Sequence, residues 1–172
     1  MKKLMLFITL AAMLPAGFPG AMAQAGCDND TCMLDFWIGK WDLTWDDGNG
    51  ATGTGTNEVY KILGGKVVCE NFTGLSGKNA GFEGKSWSVY TAPGTWKQTW
   101  VDNSSGYLDF TGSREGDRVI FSRKGTAGDG REVRQRMVFY DIAENSFTWD
   151  WETSADQGEH WNLRWRISYH RR

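Results

Sequence analysis

Residues 147–169 read FTWDWETSADQGEHWNLRWRISY. Phe147, Trp149 and Trp151 alternate with Thr148, Asp150 and Glu152. After a short interval Trp161, Leu163, Trp165, Ile167 and Tyr169 alternate with Asn162, Arg164, Arg166 and Ser168. A strict period of two puts apolar side chains on one face of a strand and polar ones on the other. Between the two runs lies Ser154-Ala155-Asp156-Gln157-Gly158. An Asp side chain accepts from nearby backbone N–H groups, and Gly adopts positive φ without a Cβ penalty. The stretch predicts strand, tight turn and returning strand, with Trp161 packing the turn onto the second strand.

The same grammar runs outward through the chain. Trp41, Leu43 and Trp45 alternate with Asp42 and Thr44 from Gly39 onward. Thr54–Ile62 and Lys66–Thr73 flank Gly64-Gly65, a two-residue hairpin signal. Lys85–Thr91 carries Trp87 and Val89 on one face and stops at Ala92-Pro93-Gly94. Further runs are Trp96–Asp102, Tyr107–Thr111, Arg118–Arg123 and Arg131–Tyr140. Trp37, Trp41 and Trp45 stand four apart, which suits a helix face as well. Glycine-rich breaks every eight to twelve residues, with aromatic and β-branched residues between them, decide for strands. Only Thr31–Ile38 reads as a helical turn, with Asp30 or Thr31 as its cap. Ten strands joined by short links pair antiparallel with their neighbours. Such a meander, apolar on one face, closes on itself or splits into packed sheets. Closure removes the exposed edges, so the expected fold is an all-β, ten-stranded antiparallel up-and-down barrel.

Composition narrows the function classes. Lys2 and Lys3, the apolar run Leu4–Leu14, and Ala21-Met22-Ala23 have the order of a secretory signal peptide over residues 1–23. The run is too short to cross a bilayer as a helix. Residues 24–172 then form a single domain, expected to be periplasmic or secreted, with acylation at Cys27 as the alternative to soluble export. The chain has 19 basic and 21 acidic side chains, so loss of Lys2 and Lys3 leaves 17 basic and a formal charge of −4. This balance speaks against a nucleic-acid partner and a membrane-surface role, and no other apolar stretch approaches transmembrane length, which speaks against an integral membrane protein. Arg131, Arg134 and Arg136 are assigned to an exposed strand face. Cys27, Cys32 and Cys69 allow one disulfide in an oxidising compartment. A Cys27–Cys32 bond closes a short loop, while a bond to Cys69 closes a longer one, gains more chain entropy and is preferred. Cys and His are too sparse for a metal site, and nothing in the sequence calls for a cofactor.

Several motifs resemble known families. Gly39-Lys40-Trp41, within DFWIGKWDL, resembles the G-x-W signature that opens the first strand of lipocalins. The resemblance implies that Trp41 closes the barrel floor under an Arg from the last strand, here Arg171 or Arg166. Ten strands without a C-terminal helix look more like the ten-stranded calycin relatives, such as fatty-acid-binding proteins and nitrobindins. DFWIGKW, WKQTWVD and WETSADQGEHW together resemble an uncharacterised family of exported bacterial proteins, which implies architecture rather than activity. Nitrobindin-like barrels hold haem through a histidine, but His160 and His170 fall on the polar phase here. Finally, S-x-D-x-G-x-x-W at Ser154–Trp161 resembles the Asp-box of sialidases, which recurs on propeller blades away from the catalytic residues. It occurs once here, in a chain too short for six four-stranded blades, so Asp156 and Gly158 are read as a structural turn.

Catalytic motifs are thin. There is no G-x-S-x-G and no phosphate-cradling loop. A glycosidase needs two carboxylates facing one cavity. Glu70, Glu83, Glu152, Asp102 and Asp150 are available, but alternation places most of them on the polar phase. Gln98 between Trp96 and Trp100, and Gln135 between Val133 and Met137, lie in phase with apolar residues, where an amide needs a partner. Trp87, Trp96, Gln98, Trp100, Gln135, Met137, Trp149 and Trp151 are therefore the expected ligand-binding set. Phe110, Val119 and Phe121 continue that wall. The expected partner is a small apolar or amphipathic molecule. The alternatives are an isomerase or hydrolase using Glu70, Asp102 or Glu152 as acid or base, and a packed barrel acting through its surface.

Overall fold

The computed structural model describes residues 30–91 and 94–172. The expected signal peptide, Cys27 and the Ala92-Pro93 break lie outside the described residues. Ten strands follow in order: β1 (Gly39–Gly48), β2 (Ala51–Ile62), β3 (Val67–Gly74), β4 (Glu83–Thr91), β5 (Thr95–Asp102), β6 (Tyr107–Glu115), β7 (Arg118–Thr126), β8 (Glu132–Tyr140), β9 (Ser146–Ser154) and β10 (Asn162–Arg171). Each pairs antiparallel with its chain neighbours, and β1 pairs with β10, so the sheet closes into an up-and-down barrel. No helix among the described residues is long and apolar enough to cross a membrane.

Two 3₁₀ turns, Asp30–Cys32 and Asp35–Trp37, precede β1. They replace the single expected helical turn, and neither Asp30 nor Thr31 caps the second, whose preceding residue is Leu34. These turns close one end of the barrel. Met33, Leu34, Trp37 and Trp41 are almost fully buried there. The indole N–H of Trp41 donates to the Trp37 carbonyl at 2.8 Å, and its ring meets Phe147 and Tyr169 edge-to-face. The Arg171 guanidinium sits 4.2 Å from the Trp41 ring and donates to the carbonyls of Ile38, Phe36 and Glu144. Of the two candidate covering residues it is thus Arg171 that lies on Trp41, while Arg166 lies outside the barrel on Asp150. Gly39 is glycine for a steric reason. A Cβ there would sit 2.3 Å from the Arg171 guanidinium, at a φ of +146°.

Three expectations about local pairing are corrected. Cys69 is a free, buried thiol, and Cys32 is disulfide-bonded, so the preferred bond to Cys69 does not form. Register explains why Cys69 stays apart: it sits between Tyr60 on β2 and Trp87 on β4, on the outer face of the sheet. The β2–β3 link is a four-residue loop, Leu63 to Lys66, because Leu63, Gly64 and Gly65 all take positive φ. On β10 the register slips between Leu163 and Trp165. The extra residue reverses the phase, so Trp161 and Leu163 leave the apolar face that Trp165, Ile167 and Tyr169 keep. Leu163 is 46% exposed, and Trp161 instead carries the Arg136 guanidinium at 3.9 Å.

Candidate ligand cavity

Above the floor the barrel holds a partly open cavity of about 230 Å³. Its wall is formed by Trp37, Phe72, Phe82, Phe110, Trp100, Trp149, Trp151, Trp165 and Tyr169, with Leu108, Met137 and Ile167 between the rings. Two carboxyl groups, Glu70 and Asp102, complete the lining. Trp165 meets Trp149 at 88° and Trp45 at 83°, so the indoles wall more than one side. The indole nitrogens of Trp37 and Trp165 are buried without a hydrogen-bond partner.

Of the eight residues expected to bind ligand, Trp100, Met137, Trp149 and Trp151 line this cavity. Trp96 is buried lower down, where its indole donates to the Asp30 carbonyl at 2.7 Å and ties β5 to the first 3₁₀ turn. Gln98 is buried inside the barrel but donates to Ser88 Oγ at 2.9 Å and does not line the cavity. Gln135 is half-buried and accepts from the Arg123 guanidinium, also away from the cavity wall. Trp87 is placed wrongly by alternation. It is 42% exposed on the outer face of β4, while Gly84, Ser86 and Ser88 point inward. The cause is cross-strand. Ser86 stands opposite Glu70 and Trp100, and Ser88 opposite Val68 and Gln98, so the bulk on β3 and β5 fills the interior that β4 vacates.

The same register carries the residue that alternation misjudged most. Glu70, one of five carboxylates that alternation mostly places on the polar phase, is 7% exposed and shares the inner face of β3 with Val68 and Phe72. In VVCENFTG both phases contain polar and apolar residues, so neither was favoured by pattern. One Glu70 oxygen accepts from Asn57 Nδ2 at 2.7 Å and the other from Ser86 Oγ at 2.6 Å. Asn57 Nδ2 also donates to the Tyr169 hydroxyl at 3.3 Å. Burial pushes the Glu70 carboxyl from its ordinary 4.5 up to about 7, against the two hydrogen bonds, which act to lower it. Burial also raises the Tyr169 phenol, and the nearby Glu70 charge adds to that.

Asp102 behaves in the opposite way. Burial acts to raise it, but bonds from the Trp100 indole and the backbone N–H groups of Gly106 and Ser104 outweigh burial and hold it below the ordinary range. Those bonds measure 2.9 Å each. Asp102 is thus an ionised carboxylate where β5 ends, and Glu70 a carboxyl with a proton in balance near neutrality. Glu152 and Asp150 lie on the outer face, paired with Arg136 and Arg166.

The Asp156 turn contributes nothing to this cavity. Ser154 Oγ donates to Asp156 Oδ1 at 2.6 Å and accepts from the Gly158 N–H at 2.9 Å. Asp156 also accepts from the His160 backbone and meets its ring at 2.6 Å. The Ser154 bond first, then those from His160, hold the Asp156 carboxyl far below its ordinary range. Gly158 has a φ of +101°, as the turn requires. Asp156, Glu159 and His160 are also the described residues whose ligand atoms approach within 4.8 Å of one another. They are exposed, and Asp156 is already held by the turn. His170 is exposed on the outer phase of β10.

No family model matches the chain, and no curated protein does. Solved structures do. The chain resembles the crystal structure of Rv2717c from M. tuberculosis, with a TM-score of 0.51 and 14% identity, over 83% of this chain and 97% of that one. The likeness is one of fold. It agrees with a closed barrel and carries no activity across.

Proposed function

We propose that this protein is an exported carrier or sensor that holds a small apolar or amphipathic molecule inside the barrel. One observation carries the reading: a closed barrel with ten tryptophans in its chain keeps a cavity of about 230 Å³ instead of filling it. Protein interiors otherwise pack to near-crystalline density, so an aromatic-lined cavity of this size within the barrel supports a binding role. Export rests on the sequence of residues 1–23 alone. A saturable, one-to-one quench of tryptophan fluorescence by small apolar ligands tests the reading. Met137→Trp should abolish that quench while the far-ultraviolet circular dichroism stays native, because the larger ring enters empty space. Unchanged binding in the variant would move the site elsewhere on the molecule.

A second reading, a cavity enzyme, draws on Glu70. A carboxyl balanced near neutrality in a water-poor pocket is suited to general acid–base work. Asp102, held ionised by its donors, and Glu152, on the outer face, do not add a second proton-transfer group. Ligand turnover that disappears in Glu70→Gln, with binding retained, would favour this reading over simple carriage.

A further inference from the structure

We propose that the ligand of this cavity is a small organic cation, an amine or quaternary ammonium with an apolar body, held by the Glu70 carboxylate within the indole walls. The inference rests on the binding reading above and narrows it. Its first ground is the charge of the lining. Of the fourteen described residues that line it, nine are aromatic, two are carboxyls and none is Lys, Arg or His. The Arg123 guanidinium lies 5.9 Å from the centre of the Phe110 ring, is bonded to Gln135 and does not line the space. A neutral apolar ligand needs no acid in its wall, and an anionic one would be repelled by both.

The second ground is the walls. Aromatic faces attract cations, most strongly for indole and where water is excluded. Trp149 and Trp165 meet at 88°, which forms a corner rather than a single plate. Trp100 and Tyr169 line the same space. A cation seated in that corner is reached by rings from several directions and by a carboxylate from the β3 side.

The third ground is the positioning of Glu70. Asn57 and Ser86 each donate to one of its oxygens, at 2.7 and 2.6 Å, so the group is fixed in place and cannot swing out to water. A buried carboxylate facing an apolar space is costly unless a positive charge comes to it. A bound cation supplies that charge. The volume suits a molecule of roughly choline's size with room to spare, below the range of drug-sized pockets, about 300–1,000 Å³.

Three isosteres separate charge from shape: choline, its neutral carbon analogue 3,3-dimethylbutan-1-ol, and the anion 3,3-dimethylbutanoate. Each is titrated into the full wild-type protein at pH 8.5, followed by calorimetry and tryptophan fluorescence, with a neutral apolar fluorophore as control. Choline should bind at least about tenfold more tightly than the alcohol, a margin within reach of a desolvated cation–π contact plus one carboxylate. The butanoate should not bind. In Glu70→Gln the preference for choline should fall several-fold, while the control fluorophore still binds. Equal affinity for choline and the alcohol overturns the cation assignment and leaves the binding reading standing. Failure of all three ligands and of the fluorophore overturns the binding reading as well. The wild-type comparison needs no variant, so a folding defect in Glu70→Gln does not blunt it.

Discussion

Glu70 is the residue whose environment reaches furthest into the behaviour of the protein. In the unfolded chain its carboxyl ionises near 4.5, in the folded barrel near 7. Between those values the folded protein holds a proton that the unfolded chain has released. Stability from this group is therefore fully present below about pH 4.5 and declines as pH rises toward 7, then levels off. At about 1.4 kcal/mol per pH unit the loss is roughly 3 kcal/mol. Glutamine fits the same partners, since its oxygen can accept from Asn57 and its amide can donate to Ser86. Urea titrations of wild type and Glu70→Gln at pH 4.5 and pH 8 should differ accordingly, with the variant gaining on the wild type by roughly 3 kcal/mol at the higher pH. Every other titrating group is common to both proteins, so the difference isolates Glu70. Parallel curves would mean that the carboxyl ionises as freely inside the barrel as outside it.

At the scale of the strand, the phase of β4 is the decisive correction. Alternation assumes that the bulkiest residues face in, and on β9 and the later part of β10 they do. On β4 they do not. Trp87 faces out because the interior opposite is already taken by Trp100, whose ring would lie 1.9 Å from a Cβ placed on Gly84. Gly53 and Gly55 on β2 likewise make room for Trp45, and Gly112 on β6 for Phe121. A second set of glycines thus sits inside strands under large rings, where the sequence reading had taken glycine as punctuation between them. The number of strands and the closure were legible from alternation and turn spacing, but the run Lys85–Thr91 tells that a strand is present and not which neighbour fills the space. The floor was expected from the resemblance of Gly39-Lys40-Trp41 to the lipocalin signature, which left Arg171 and Arg166 open, and Arg171 is the one on Trp41. The Asp156 turn was legible because its bonds join residues within a few positions of each other. Half of the expected binding set lies on the cavity wall, and Glu70 was named only as an alternative acid or base, because the partners that hold it inward, Asn57, Ser86 and Tyr169, are distant in sequence. If β4 is rightly placed, Trp87→Ser should cost less than about 1 kcal/mol in chemical denaturation, as surface changes usually do, whereas Trp100→Ser should cost several. Equal, large losses would put Trp87 back in the interior.

The whole molecule depends on one seam. All β1–β10 pairs run from Trp41↔Arg171 to Thr44↔Ser168, so the last residues of the chain close the barrel against its first strand. The seam also carries Tyr169, stacked on Phe147 at 4.2 Å, and the Arg171 cover of Trp41. Because the first and last strands are the furthest apart in sequence, their pairing is the most non-local strand contact in the fold, of the kind associated with slow folding. A chain ending at Ile167 keeps nine strand pairs but loses every β1–β10 pair, the Tyr169 ring and the Arg171 guanidinium together. Two unpaired edges would then face solvent, and exposed edges recruit other chains. The loss of one buried aromatic alone costs about 3–5 kcal/mol, a large part of the roughly 5–15 kcal/mol that a domain possesses. Deletion of residues 168–172 should therefore abolish the cooperative thermal transition seen by near-ultraviolet circular dichroism and send the protein into soluble aggregates on size exclusion. Arg171→Ala, which keeps the strand but removes the cover over Trp41, should elute on size exclusion as the wild type does, with a lowered melting temperature. A truncated chain that elutes and melts like wild type would show that the barrel holds together without its seam, and that the β1–β10 edge is an opening rather than a closure.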